Sequence, residues 1–255
     1  MLQILVPLGG RAARFQERGY TFPKPLIEIG NASMIELVLQ NLAPPEPRQF
    51  TFICRKEHLV EFYLGDMLRL LEPGCRIIPL ERETAGALCS VLLAIDELIL
   101  DEELLIANGD QYVTGGLAGF YDACRAEGSD GCILTFTASH PRWSFVKTDD
   151  HGVVRAVAEK RPISKQATAG LYYFRRAGDF VAAAERMIVK GLTTSGQFFV
   201  APVYNELILK GKRITTHHLP ENAMHSLGTP EDMSVFLEYF LPTLALAKTA
   251  PRAES

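Results

Sequence analysis

Leu2-Gln3-Ile4-Leu5-Val6-Pro7-Leu8-Gly9-Gly10-Arg11-Ala12-Ala13-Arg14-Phe15 opens the chain, and Phe22-Pro23-Lys24-Pro25 follows shortly after. Leu2–Leu8 reads as a buried strand. The first helical periodicity begins only at Ser33 and runs to Leu42, so a long loop separates strand from helix. Outward from this start the pattern repeats. Strand-like runs at Phe50–Arg55, Arg76–Leu80, Leu104–Asn108 and Cys132–Ala138 alternate with helical runs at Glu57–Leu71, Ala87–Leu98 and Leu117–Glu127. Such alternation predicts an α/β fold with a mainly parallel sheet flanked by helices.

The character changes after His140. Phe145–Lys147, Val153–Ala158 and Thr168–Phe174 are three strand-like runs with a turn signal at Asp149–Gly152, and they predict a small β-rich insert. Helical signals return at Phe180–Val189, around Pro202–Lys210, and from Pro230, where Glu231 and Asp232 suit a first helical turn. No linker rich in Gly, Ser or Pro divides the chain. The expected organisation is one domain over 1–244, with 1–140 binding a ligand at its loops and 141–244 adding the insert and closing helices. The stretch 245–255 is expected to be a disordered tail.

Composition narrows the classes. The 255 residues are 47% hydrophobic and 22% charged, with a net charge of -4. That balance is globular and lacks the basic face of a general nucleic-acid binder. Cys54, Cys75, Cys89, Cys124 and Cys132 form no C-x-x-C pair, which points to free thiols in a reducing cytoplasm and to no structural zinc. The N-terminus reads directly as a strand, not as a secretory leader. No apolar run reaches the roughly 18 residues of a membrane span, so neither nucleic acid nor membrane is an expected partner. A homo-oligomer stays open.

The loop after the first strand lies at the carboxyl edge of such a sheet, where ligands bind. Gly9 and Gly10 let backbone N–H groups approach a phosphate. Arg11, Arg14 and Lys24 add positive charge, and arginine matches phosphate oxygens bidentately. Pro23 and Pro25 stiffen the backbone around Lys24. On glycine and arginine alone, a solvated surface loop is an equal reading. The loop is neither a Walker A sequence nor a G-x-G-x-x-G fingerprint. Leu104–Asn108 leads into Gly109-Asp110, so a carboxylate stands beyond the end of a sheet strand. Magnesium prefers one or two carboxylates plus phosphate oxygens, which suits Asp110. A turn or helix-capping aspartate would look the same.

Taken together, Pro7 to Phe15 and Phe22-Pro23-Lys24-Pro25-Leu26 resemble the signature of the sugar-phosphate nucleotidylyltransferase superfamily, whose Gly-x-Gly-(Ser/Thr)-Arg core precedes a Pro-Lys-Pro. The resemblance implies a Rossmann-like sheet of the nucleotide-diphospho-sugar transferase type. It places a nucleoside triphosphate at Leu8, Gly9, Gly10 and Arg11, with Arg14, Lys24 and Asp110 catalytic and Mg²⁺ on Asp110. Ala12 replaces the family's second glycine and Ala13 its Ser or Thr, so a methyl at Ala12 is expected to crowd a phosphate. Ser226 stands where many relatives have a second metal aspartate, before Gly228-Thr229. Either one carboxylate suffices, or His225 or another acid takes its place.

The same resemblance assigns base reading to Glu83, Ala85 and Gly86, with Asn108 and Gly109 also at the nucleotide. Thr84 as a helix cap is a compatible structural reading. Glu159-Lys160, Gly170 in Ala169-Gly170-Leu171-Tyr172, and Gln197 match acceptor-binding elements. Trp143 with Phe145 could line that pocket or simply be core. His217 and His218 alternate along a strand and cannot share a metal. Stretches such as Gly109-Asp110-Gln111-Tyr112-Val113 and His140-Pro141-Arg142-Trp143-Ser144 look closer to short bacterial cytidylyltransferase-like enzymes of capsule and cell-surface biosynthesis. The implied reaction moves a nucleoside monophosphate, from CTP by preference, to a phosphorylated sugar or small-molecule acceptor. A sugar-1-phosphate uridylyl- or thymidylyltransferase, and a catalytically weak nucleotide-binding regulator, remain alternatives.

Overall fold

In the computed structural model, which describes residues 1–242, the chain forms a nine-stranded sheet with helices packed on it. Its strands are β1 (Leu2–Leu8), β2 (Arg48–Arg55), β3 (Arg76–Leu80), β4 (Glu103–Ala107), β5 (Gly131–Thr137), β6 (Ser144–Thr148), β7 (Val154–Glu159), β8 (Gln166–Phe174) and β9 (Ile214–His218). β1 lies at the centre of the first half, parallel to both β2 and β4, and β2 is parallel to β3. Side chains on both faces of β1, β2 and β4 are buried, as the near-continuous apolar runs require. Two apolar clusters result, one on each face, with Ile4 and Val6 in the first and Leu5 and Ile106 in the second. The fold is therefore α/β, parallel in its first half and antiparallel around β8. The proposed tail over 245–255 lies outside the described residues. Among the described residues no helix is long and apolar enough to cross a membrane.

Three expectations change. The helix expected over Glu57–Leu71 is two helices, Lys56–Glu61 and Leu64–Leu71, because Tyr63 adopts a left-handed φ of 52°. The helix expected over Ala87–Leu98 ends at Leu92, and a 3-10 turn follows at Ile95–Glu97. The third strand of the expected insert is not peripheral. β8 pairs antiparallel with β5 along one edge, while its other edge meets β6 first and then β4. The β6–β7 hairpin extends the same sheet beyond β8, with β7 at its edge.

The junction is a bulge. The β8–β5 register shifts between Thr168 and Tyr172, and Gly170 within it has a φ of 75°. That left-handed conformation favours glycine. The Gly170 carbonyl accepts from the Asn108 amide at 2.9 Å, which ties the bulge to the end of β4.

Candidate active site

The carboxyl ends of β1, β3 and β4 open onto a cavity of about 490 Å³. One side of it is built by the loop after β1. An added Cβ on Gly9 would stand 2.8 Å from Leu80 Cδ2, so the Leu80 side chain would have to shift, whereas Gly10 faces open space. Ala12 adopts φ 54°, ψ 34° and caps a short helix, Ala13–Glu17, without a side-chain bond. Its side chain packs against the apolar cluster and does not line the cavity. The expected crowding of a phosphate by this methyl thus becomes a backbone matter, since a left-handed alanine costs about 1–2 kcal/mol. Ala12→Gly should raise the melting temperature by about 2 °C in calorimetry, because glycine's greater unfolded-state freedom offsets part of the relief.

Lys24 begins a 3-10 turn, Lys24–Leu26, entered from an extended Pro23 and followed by the buried Pro25. Its ammonium donates to Asp110 Oδ2 at 2.6 Å and to the Gly228 carbonyl at 3.2 Å. The Asp110 carbonyl in turn accepts from Leu227 N at 2.8 Å. The segment Ser226–Gly228, far away in sequence, is so pinned over Asp110. The side-chain position that Gly228 leaves free lies 3.2 Å from Ser226 Oγ, 3.3 Å from Asp110 Oδ2 and 3.9 Å from Lys24 Nζ.

Ser226 does stand beside Asp110, but its hydroxyl donates to Asp232 Oδ2 at 2.9 Å, and Arg142 holds Asp232 at 3.0 Å. His225 does not substitute for a metal ligand. It is buried with Nε2 2.7 Å from Thr114 Oγ1 and its ring 3.9 Å from that of Phe240, and burial pushes its pKa down. Among the described residues no three His, Cys, Asp or Glu gather to hold a metal.

Of the residues singled out from sequence, Leu8, Gly9, Gly10, Arg11, Lys24, Glu83, Gly86, Asn108, Gly109, Asp110 and Gln197 line this one cavity. Arg14 does not; it is exposed on the short helix. Ala85 contributes through its backbone, accepting from Phe198 N at 2.8 Å. Thr84 is no helix cap: its hydroxyl donates to the Gly86 carbonyl at 2.9 Å and lies 2.7 Å from Ser90 Oγ. Gly86 has a φ of 123°, and an added Cβ would stand 2.4 Å from the Phe198 carbonyl oxygen. Its missing side chain leaves room for the Gln197–Phe199 segment.

Glu159, Lys160 and Gly170 stand beside the cavity and not on its wall. Lys160 Nζ sits 4.6 Å over the ring of Phe199, which does line the cavity. Burial raises the Glu159 pKa, against the lowering effect of the Ser144 hydroxyl that donates to it and of Lys160. Phe145 is buried core, whereas Trp143 packs edge-on against Phe136 and lines a second cavity of about 260 Å³ beyond Ser226. His217 and His218 contact Phe120 and Thr135 respectively, and share no metal.

Sequence reasoning missed Arg55. It ends β2 at the same sheet edge, is largely buried, and reaches the Gly9 carbonyl at 3.5 Å and Glu83 at 3.6 Å. Arg11 also pairs with Glu83, so one carboxylate is shared by two guanidiniums beside the loop after β1. The position rule that picks out residues beyond strand ends applies equally to Arg55.

A family model described as nucleotidyl transferase matches residues 4–194. The chain belongs to the nucleotidyl transferase family. A mannose-1-phosphate guanyltransferase from Neurospora crassa is 27% identical over 184 residues, covering 68% of this chain and 49% of that protein. The chain thus spans about half the length of the curated relative it matches. A nucleoside-diphosphate-sugar pyrophosphorylase from Vibrio cholerae RC9 superposes with a TM-score of 0.79 at 27% identity, covering 93% of this chain and 99% of the other. A Bacillus anthracis structure assigned as a glucose-1-phosphate thymidylyltransferase has a TM-score of 0.74 at 17% identity, covering 100% and 98%. At that identity it supports the fold alone.

Proposed function

We propose that this protein is an enzyme that transfers a nucleoside monophosphate from a nucleoside triphosphate to a phosphorylated acceptor of the sugar phosphate class. The observation that carries the reading is the convergence of Gly10, Lys24 and Asp110 on one cavity that also reaches Gly86 and Gln197. An oxygen of the acceptor phosphate attacks the α-phosphorus in line; a P–O bond forms, the α–β bridge breaks, and pyrophosphate leaves. The nucleophile is already anionic near neutral pH, so positioning and charge neutralisation supply the catalysis. Lys24 offers a positive charge to the α-phosphoryl oxygens and the departing pyrophosphate. Gly10 leaves room for phosphate against the backbone. Arg11, once released from Glu83, adds charge to the outer phosphates. Arg14 would have to approach from its exposed helix.

The donor set fits a magnesium ion held by one protein carboxylate and completed by phosphate oxygens. Asp110 would hold it, and the ion would neutralise phosphate charge when bound. Asp232 is committed to Arg142 and Ser226 and is not free to serve as a second ligand. Glu159, Lys160, Gly170 and Gln197 belong to the acceptor side of this reading.

The base is a finer matter. The curated relative is a guanyltransferase by name, and the preference for CTP with a capsule role rests on the sequence resemblance alone. A sugar-1-phosphate nucleotidylyltransferase of another base specificity stands at least level with it. Thermal shift with CTP, UTP, dTTP, ATP and GTP in Mg²⁺ decides the base. A triphosphate at about 100 times its Kd adds about 2.7 kcal/mol, or some 5–10 °C. The matching triphosphate should then release pyrophosphate with a hexose 1-phosphate. No shift with any of the five, and no pyrophosphate with any acceptor, would refute the reading. A shift without turnover would favour the regulatory alternative.

A further inference from the structure

The Lys24 ammonium has a backbone partner besides Asp110, the Gly228 carbonyl at 3.2 Å. That carbonyl belongs to a glycine, whose backbone has the widest conformational freedom. Before it runs a short antiparallel ribbon, Met224–Ser226 paired with Gln111–Val113. After it comes the helix Pro230–Val235, capped by the Thr229 hydroxyl, which accepts from Asp232 N at 3.1 Å. One side chain ties ribbon to helix across the glycine. Ser226 Oγ accepts from Gly228 N at 3.2 Å and donates to Asp232 Oδ2 at 2.9 Å. Two nitrogens of Arg142 hold Asp232 in turn, at 3.0 and 3.1 Å, and the Arg142 guanidinium lies 4.4 Å over the ring of Trp143. An unbroken chain of contacts thus runs from Arg142 through Asp232, Ser226 and Gly228 to Lys24.

We propose that Ser226 and Asp232 are positioning residues that aim the Lys24 ammonium through the Gly228 carbonyl. This rests on the nucleotidyl-transfer reading above, in which Lys24 meets the phosphates. Neither Ser226 nor Asp232 touches the reacting atoms in this role. A lysine ammonium is a point charge on a flexible four-carbon stem, so the acceptors around it must supply its direction. Asp110 is one of them. The Gly228 carbonyl is the other, and the tie from Ser226 to Asp232 steadies the backbone that carries it. Catalysis by a positioned charge is sensitive to such support, because a displacement of about 1 Å can cost 10²-fold in rate.

Ser226→Ala and Asp232→Ala each break the tie. Each should lower kcat for pyrophosphate release about 10-fold, with both KM values within about twofold of wild type. The assay uses the triphosphate that most stabilises the wild type, together with a hexose 1-phosphate. Ser226→Ala should melt within about 4 °C of wild type, because it loses only the bonds of one hydroxyl. Asp232→Asn drops the charge but keeps an acceptor for the Ser226 hydroxyl, so its kcat should fall less than about threefold. The double variant Ser226→Ala/Asp232→Ala should lose no more than either single one, since both act on the same link. An unchanged kcat in Ser226→Ala, an Asp232→Asn as slow as Asp232→Ala, or losses that multiply would each overturn the assignment and leave the triphosphate site standing. A wild type that no triphosphate stabilises and that releases no pyrophosphate fails the nucleotidyl-transfer reading, and this assignment falls with it.

Discussion

Asp110→Ala and Lys24→Ala should each lower the rate of pyrophosphate release about 10³-fold while leaving the protein folded. Removing one preorganised group from a developing charge typically costs 10²–10³ in turnover, and in the proposed mechanism these two groups act on the same phosphates. Their mutual contact is short, 2.6 Å, but the side chains retain 19% and 33% of their exposure. A solvent-screened pair of this kind contributes only about 1 kcal/mol to stability. In Asp110→Ala the lysine keeps the Gly228 carbonyl at 3.2 Å. In Lys24→Ala the Asp110 backbone keeps its bond to Leu227. Circular dichroism and melting should therefore change little. The double variant should lose far less than the product of the two single losses, because the residues act as one unit. Full turnover in both single variants would reject the mechanism.

Gly86→Ala should destabilise the protein strongly through a single methyl group. The position has a φ of 123°, where a side chain is strained, and the added carbon would stand 2.4 Å from the Phe198 carbonyl oxygen and 2.7 Å from its nitrogen. Those atoms belong to backbone and cannot swing away. They are also the two that stitch the segments together, through Phe198 N to Ala85 O at 2.8 Å and Leu88 N to Phe198 O at 3.1 Å. Strain and the loss of those bonds together cost about 3 kcal/mol, or roughly 6–12 °C in melting temperature. The triphosphate KM should rise as well, since Thr84, Gly86 and Ser90 line the cavity. Gly10→Ala is the contrast. An added carbon there meets nothing within 4 Å, so stability should hold while triphosphate binding weakens. If Gly86→Ala melts like wild type, the stitch is not what requires glycine.

The outline of the site was legible in the sequence for a physical reason. Parallel strands buried on both faces must be apolar runs, and groups beyond their carboxyl ends must face the ligand crevice. Leu2–Leu8 and Leu104–Asn108 announced themselves in that way, and with them Gly10, Lys24 and Asp110. Arg55 obeys the same rule at the end of β2 and escaped only because no glycine or proline marks its loop. The break at Tyr63 was illegible, since Glu57–Leu71 keeps its helical periodicity across a residue that turns left-handed.

By itself, then, the chain's order of apolar runs, glycines and charges determined an α/β sheet with a glycine- and arginine-bearing loop after its first strand and a strand-end acid. Those signals are local, written within a few residues of each position they specify. Tertiary structure alone decided that β8 is a core strand, that Gly86 yields its side-chain space to Phe198, and that Ser226 is tied up with Asp232 and Arg142. It also decided that the Ala12 methyl turns to the core. Each of these depends on atoms from segments distant in sequence meeting at one point. No spacing rule along a single strand or loop encodes such a meeting.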